Sequence, residues 1–237
     1  VAESAFPEAE IHITEWNSSF LPWDAVHDTA FMGPFVARNA LSVLGSVDSL
    51  GFWTFTDIFE ETGAGDAVFH GGFGLMSYRG LPKPAYHAYR FLSMLGDRMV
   101  ARGENYAVAR SGETVQVLLW NYAHFSSDYT VGGQFDPRNT DPYGAFEPVP
   151  SLFAGLALRG AQGKIDYRIR RVSRRQGSAL DAWLAMGRPE YPSGEEYRFL
   201  SAAAEHSLRR GTLAPGDTLE LEPLEAHELV LVEFNLP

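Results

Sequence analysis

A glutamate followed by a tryptophan and an asparagine closes the run Ala9-Glu10-Ile11-His12-Ile13-Thr14-Glu15-Trp16-Asn17. Ile11 to Thr14 reads as a buried β-strand that delivers Glu15 at its C-terminal end. In barrels of alternating strands and helices, catalytic groups sit at the C-terminal ends of strands, where the βα loops form the open face. A carboxylate there, with Trp16 and Asn17 beside it, matches what sugar cleavage needs: a nucleophile, an apolar platform and a donor for a sugar hydroxyl. The alternative is a strand-end glutamate in an ion pair. Glu60 and Glu61 follow a second strand that contains Trp53, on the face expected to hold Glu15. Two adjacent carboxylates grip vicinal hydroxyls through charge-assisted hydrogen bonds; an exposed acidic loop is the plainer account.

Other chemistry-bearing residues carry weaker signals. His70 precedes Gly71, Gly72 and Gly74, which lack the spacing of a phosphate cradle and suit tight turning instead. His70 itself either donates to a substrate or pins that loop, with pinning the better account. His12, inside a strand, reads as a satisfied core histidine. His27-Asp28 has no metal-ligand spacing, and Asp28 suits a helix start. Arg168, Arg170, Arg171, Arg174 and Arg175 read as a solvated face or a domain-contact patch. No G-x-S-x-G occurs, which disfavours the commonest serine hydrolase layout. Neither a metal site nor a cofactor is expected.

The elements that must hold these groups change character along the chain. Val26 to Leu44 has an apolar face of Phe31, Phe35, Ala40, Leu41 and Leu44 at helical spacing. Pro34 interrupts it, predicting a kink or a late start. Val47 to Thr56 predicts a second buried strand, and Pro84 starts a helix with Tyr86, Tyr89, Leu92 and Leu95, stopped by Gly96. Strand, helix, strand, helix makes two βα units of a parallel architecture. From about Met99 the pattern becomes antiparallel. Tyr106–Ala109 and Val115–Trp120 predict a hairpin, and Lys164–Val172, Leu219–Leu221 and Leu229–Val232 predict strands. Gly132 to Pro150 predicts an exposed loop. Two short helices are expected near Ala179–Met186 and Ser193–Glu205, the second opened by a Ser193/Glu196 capping box. This half reads as an antiparallel β-sandwich.

Composition narrows the partners. The chain has 237 residues, 45% of them hydrophobic, and a formal net charge of -11. Such a charge argues against nucleic acid and against an anionic membrane, and suits a neutral substrate. There are no cysteines, which excludes disulfides and thiol catalysis and leaves the compartment open between cytoplasm and exterior. No stretch reaches the length of a membrane span. The chain opens on Val-Ala-Glu rather than Met, so it is expected to begin inside a larger parent, with processing as the alternative.

The runs His12-Ile13-Thr14-Glu15-Trp16-Asn17-Ser18-Ser19, Val26-His27-Asp28-Thr29-Ala30, Trp53-Thr54-Phe55-Thr56-Asp57, Phe59-Glu60-Glu61, Phe69-His70-Gly71-Gly72-Phe73-Gly74-Leu75, Pro82-Lys83-Pro84 and Met186-Gly187-Arg188-Pro189 together resemble the β-xylosidases of glycoside hydrolase family 39. α-L-Iduronidases share the family and the Gly-Arg-Pro element, but the Glu-Glu loop is more similar to the xylosidases. The resemblance implies a (β/α)₈ barrel with an accessory β-sandwich and retaining hydrolysis. This chain would supply the C-terminal portion of that barrel, residues 1–98, and the sandwich with its short helices, residues 99–237. Glu15 would match the nucleophile ending the seventh strand. Trp53 would line the xylose site from the eighth, and Glu60 and Glu61 would bind the sugar hydroxyls. Asn17 and His70 belong to matched motifs. The family's acid/base sits in an Asn-Glu-Pro, which does not occur here. The expectation is a β-xylosidase-type enzyme acting on xylo-oligosaccharides or other small pentosides, and lacking its acid/base segment. The alternatives are a non-catalytic carbohydrate-binding or assembly module and a homo-oligomer or partner complex that supplies the missing strands.

Overall fold

Pro34 decides where the first long helix begins. A short 3₁₀ turn, Ala25–Asp28, comes first, and helix α1 then runs over Met32–Ser42 with Pro34 in its opening turn. There the missing N–H has no intrahelical partner to lose, so the helix starts late rather than kinking. These elements belong to a computed structural model that describes residues 8–58, 63, 65, 67–130 and 141–237. Strand β1 (His12–Trp16) precedes α1, strand β2 (Ser49–Phe52) follows it, and the two strands pair in parallel. The second strand is shorter and less buried than the apolar run Leu50–Phe55 suggests, because β1 is its only partner among the described residues. Helix α2 (Pro84–Leu92) opens on Pro84 as expected, and its fully buried residues include Ala85, His87, Ala88 and Phe91.

The second half forms one six-stranded antiparallel sheet. Strands β3 (Arg98–Arg102), β4 (Tyr106–Ser111), β5 (Thr114–Trp120), β7 (Ile165–Val172), β8 (Ser207–Leu213) and β10 (Leu229–Asn235) lie in the order β3-β4-β5-β10-β7-β8. The hairpin β4–β5 closes with Ser111 opposite Thr114, and Gly112 supplies the left-handed residue at φ +55° that a two-residue turn needs. Strand β10 is central, so Leu229 to Val232 are all buried. Its faces serve different cores. Leu229 and Leu231 pack with Ala107, Leu118, Trp120 and Val172 against α1 and α2. Val230, Val232 and Phe234 pack with Ile165, Ile169, Leu219 and Leu221 under a two-stranded ribbon, β6 (Gly155–Ala157) and β9 (Thr218–Glu220). The sheet is therefore covered by helices on one face and by only two strands on the other.

Between β7 and β8 the chain makes helices α3 (Leu180–Ala185) and α4 (Gly194–Ala204). The capping box is present: Ser193 Oγ accepts from Glu196 N–H at 3.3 Å, and Glu196 Oε2 accepts from Ser193 N–H at 2.7 Å. Both helices pack on Val68, Phe69 and Leu81. Four expectations are corrected. Leu44 is 57% exposed, beyond the end of α1. His12 is exposed rather than in the core, its ring nitrogens meeting Ser49 Oγ and Glu10. Asp28 opens no helix; Asp24 caps the 3₁₀ turn by accepting from Val26 N–H at 3.1 Å. The Pro/Gly-rich segment is no exposed loop throughout, because Tyr143, Ala145 and Phe146 are core residues; residues 131–140 lie outside the described ones.

One buried and one half-buried histidine give the fold a pH dependence. His227 packs against Tyr143 and Phe146, and burial, helped by Arg174, pushes its pKa down to about 4. Burial does the same for His206, to about 4, with His87, Arg90 and Arg170 adding to it. The unfolded chain protonates these rings near pH ~6.5, and the native protein refuses the protons. Stability is therefore full above that pH and falls as pH drops from it toward 4. Urea titrations across this window should show the midpoint declining. His227→Asn, which tolerates the left-handed backbone at φ 68°, should flatten the decline. An unchanged slope in that variant would remove His227 from the account.

Candidate active site

Parallel pairing puts the C-terminal ends of β1 and β2 side by side, and the two ends are stitched together there. Trp53 N–H donates to the Trp16 carbonyl at 3.0 Å, and Asn17 Nδ2 donates to the Trp53 carbonyl at 2.6 Å and the Phe73 carbonyl at 3.2 Å. The pairing register slips between Ile13 and Trp16. Such an irregularity re-aims a side chain, and Glu15 lies within it. Gly51 makes the close approach possible, since a Cβ there would stand 2.6 Å from the Thr14 carbonyl oxygen. Glu15 is exposed, and no ion pair or hydrogen bond ties its carboxylate among the described residues. The ion-pair account of a strand-end glutamate thus finds no partner among them.

Trp16 is not the sugar platform its position suggests. It turns into the core, stacked on Phe35 at 5.4 Å and edge-on to Phe52 at 5.7 Å. Asn17 is likewise committed: both amide protons go to backbone carbonyls, and its oxygen accepts from Ser18 N–H at 2.7 Å. That makes it a positioning residue rather than a donor to a ligand. Trp53 is half-buried at the end of β2. His70 is buried on the glycine loop, its Nδ1 donating to the Ala67 carbonyl at 3.0 Å. The structure therefore brings Glu15, Asn17 and Trp53 to one end of the strand pair and joins His70's loop to it through Phe73. Glu60 and Glu61 lie outside the described residues.

Under this end sits a cluster that the motifs did not announce. Lys83 is fully buried, with its ammonium 2.6 Å from Asp28 Oδ1 and 2.7 Å from Asp57 Oδ2. Burial alone would lower its pKa, but the two carboxylates outweigh this and hold it above its ordinary value. Burial pushes the Asp57 carboxyl up, against the pull of Lys83. Asp57 is thus enclosed and paired, which keeps it from contacting a ligand. The signal was available in sequence: Asp28 lies inside the apolar run Ala25 to Met32, and a charge so placed must be paired. Asp24 Oδ2 accepts from Ser19 Oγ and from Tyr129 OH, and the second of these bonds ties the second half to the first.

The glycosyl hydrolases family 39 model matches residues 1–217. The β-xylosidase of Geobacillus stearothermophilus is 31% identical over 238 residues, a stretch of 99% of this chain and 43% of that protein. Among solved structures, a monomeric β-xylosidase from Caulobacter crescentus CB15 superposes with a TM-score of 0.82 at 26% identity, covering 99% of this chain and 47% of its own. The family 39 enzyme from Xanthomonas axonopodis pv. citri gives 0.81 at 28% identity, covering 100% and 47%. The chain thus spans about half the length of the relatives it matches, and it mixes helices and sheets as their corresponding halves do. Matched by that family model over residues 1–217, the chain belongs to the glycosyl hydrolases of family 39.

Proposed function

We propose that the chain is the nucleophile-bearing part of a retaining β-xylosidase-type hydrolase that releases xylose from the non-reducing end of xylo-oligosaccharides. The observation that carries this is an exposed Glu15, free of ion pairs among the described residues, at a register slip beside the stitched end of β2. In this reading residues 1–98 are the last portion of a (β/α)₈ barrel and residues 99–237 an accessory sandwich. Retaining hydrolysis needs a second carboxyl group ~5–5.5 Å from the nucleophile as acid/base, and strands outside this chain, in the same protein or a second copy, supply it. Hydrolysis of an aryl β-xyloside by the full-length protein, followed by NMR of the first-formed sugar, tests the reading. β-Xylose supports it and α-xylose refutes retention. A half-length relationship also favours a non-catalytic sugar-binding module; binding of xylose without turnover by the full-length protein would select that instead.

Glu60 and Glu61 are assigned to the sugar hydroxyls, with Trp53 as the wall beside them. A charge-assisted hydrogen bond is worth roughly 1.5–3 kcal/mol, so Glu61→Gln should weaken a xylose-configured inhibitor by about 10- to 150-fold with a near-constant melting temperature. A clearly lowered melting temperature with unchanged affinity would make the pair structural.

A further inference from the structure

We infer that the buried Asp28–Lys83–Asp57 cluster is the positioning device of this site: it fixes the glycine loop, and through the loop the backbone that carries Trp53 and Asn17. The inference rests on the sugar-cleaving reading above. The Lys83 ammonium donates to Asp57 Oδ1 at 3.0 Å and to the Gly72 carbonyl at 2.9 Å, and forms an ion pair with Asp28 Oδ1 at 2.6 Å. Each carboxylate is two-headed. Asp28 Oδ2 accepts from Gly71 N–H at 2.6 Å, and Asp57 Oδ1 accepts from Gly74 N–H at 2.7 Å. His27 Nδ1 donates to the Gly71 carbonyl at 2.8 Å, so the loop is held from both sides.

The loop then sets the site. Between the two gripped amides lies Phe73, whose carbonyl accepts from Thr54 N–H at 3.0 Å and from Asn17 Nδ2 at 3.2 Å. Leu75 N–H donates to the Thr54 carbonyl at 2.9 Å. A shift of the loop therefore moves the Trp53–Thr54 backbone and Asn17, two residues from Glu15. The fit leaves no slack. A Cβ on Gly74 would stand 2.4 Å from Asp57 N, and one on Gly71 would stand 2.5 Å from backbone carbons of Trp23 and Asp24. An apolar core would hold these segments together without fixing their register, since hydrophobic contact is non-directional. Charged hydrogen bonds fix both distance and direction. Buried ion pairs are weak evidence for stability, and registry is their best-attested use.

The test uses the full-length protein, an aryl β-xyloside and a xylose-configured iminosugar inhibitor. Asp57→Asn leaves Lys83 with one carboxylate and no uncompensated charge, so it should fold. The triple variant Asp28→Asn/Lys83→Met/Asp57→Asn removes the charge altogether and decides the matter if the single change is absorbed. The triple should bind the inhibitor at least tenfold more weakly and lose about 10²-fold in kcat/KM, the scale set by an ångström of misplacement. Its melting temperature should stay near the wild-type value, and the apparent pKa values of the pH profile should not move. Wild-type affinity and turnover in both variants would reduce the cluster to a structural role and overturn the inference. If the wild-type protein neither binds the inhibitor nor hydrolyses xylosides, the functional reading fails instead. Amide exchange at Gly71 and Gly74 then decides: faster exchange in the triple keeps the cluster as the loop's anchor, and unchanged protection rejects it.

Discussion

Glu15→Ala in the full-length protein should lower kcat for an aryl xyloside by roughly 10⁴–10⁶-fold, the range seen when a residue of a covalent catalytic unit is removed. The carboxylate is asked to attack the anomeric carbon and leave a glycosyl-enzyme that water releases. Nothing else in the described site can take that role, because Asp57 and Asp28 are sealed against Lys83. The same variant should melt with the wild type. An exposed side chain without an ion pair among the described residues contributes little to folding, and such substitutions usually stay within about 0.5 kcal/mol. Azide is small enough to occupy the vacated place. It should restore turnover of a substrate with a good leaving group and give a glycosyl azide of inverted configuration. A fluoro-sugar inactivator should label Glu15 in the wild type. Labelling of a different carboxylate, or a variant with ordinary turnover, would sink the assignment.

Much of this architecture was legible because local chemistry and global fold agree. Pro34 and Pro84 mark helix starts, Gly112 marks a hairpin turn and Ser193 with Glu196 marks a cap. Each acts within a few residues, so each can be read in a few residues. What stayed hidden depends on partners far along the chain. Trp16 beside a candidate nucleophile looks like a sugar platform, yet the register slip and the arrival of Phe35 and Phe52 turn it inward. Asn17 looks like a donor for a ligand, yet carbonyls 36 and 56 residues away claim its amide. The cover of the six-stranded sheet was not legible for the same reason. Alternation along a strand says that a face is buried, and not whether helices or strands bury it; the helical face is filled by α1 and α2 from the first half.

The parallel pair β1–β2 leads to the last expectation, which concerns the chain by itself. Among the described residues each strand has only the other as neighbour, so both outer edges carry unpaired backbone groups. Parallel strands occur almost only where both faces are covered and neighbours continue the ladder, and an open edge invites association. Beside these edges the chain exposes apolar side chains: Ile13 is 36% exposed, Phe55 67% and Ile58 67%. Phe52 faces Tyr89 at 5.7 Å and is half-buried. The isolated 237-residue chain should therefore self-associate or bind a segment that carries the remaining strands. It should also hydrolyse aryl xylosides at least ~10²–10⁴-fold more slowly than the full-length protein, the usual cost of a lost general acid. On the proposed reading, adding a separate polypeptide that carries the remaining strands should shift the sedimentation profile to a one-to-one complex and raise turnover in parallel, because the same strands would close the edge and deliver the acid. A compact monomer with robust turnover would show that the chain completes its site without them.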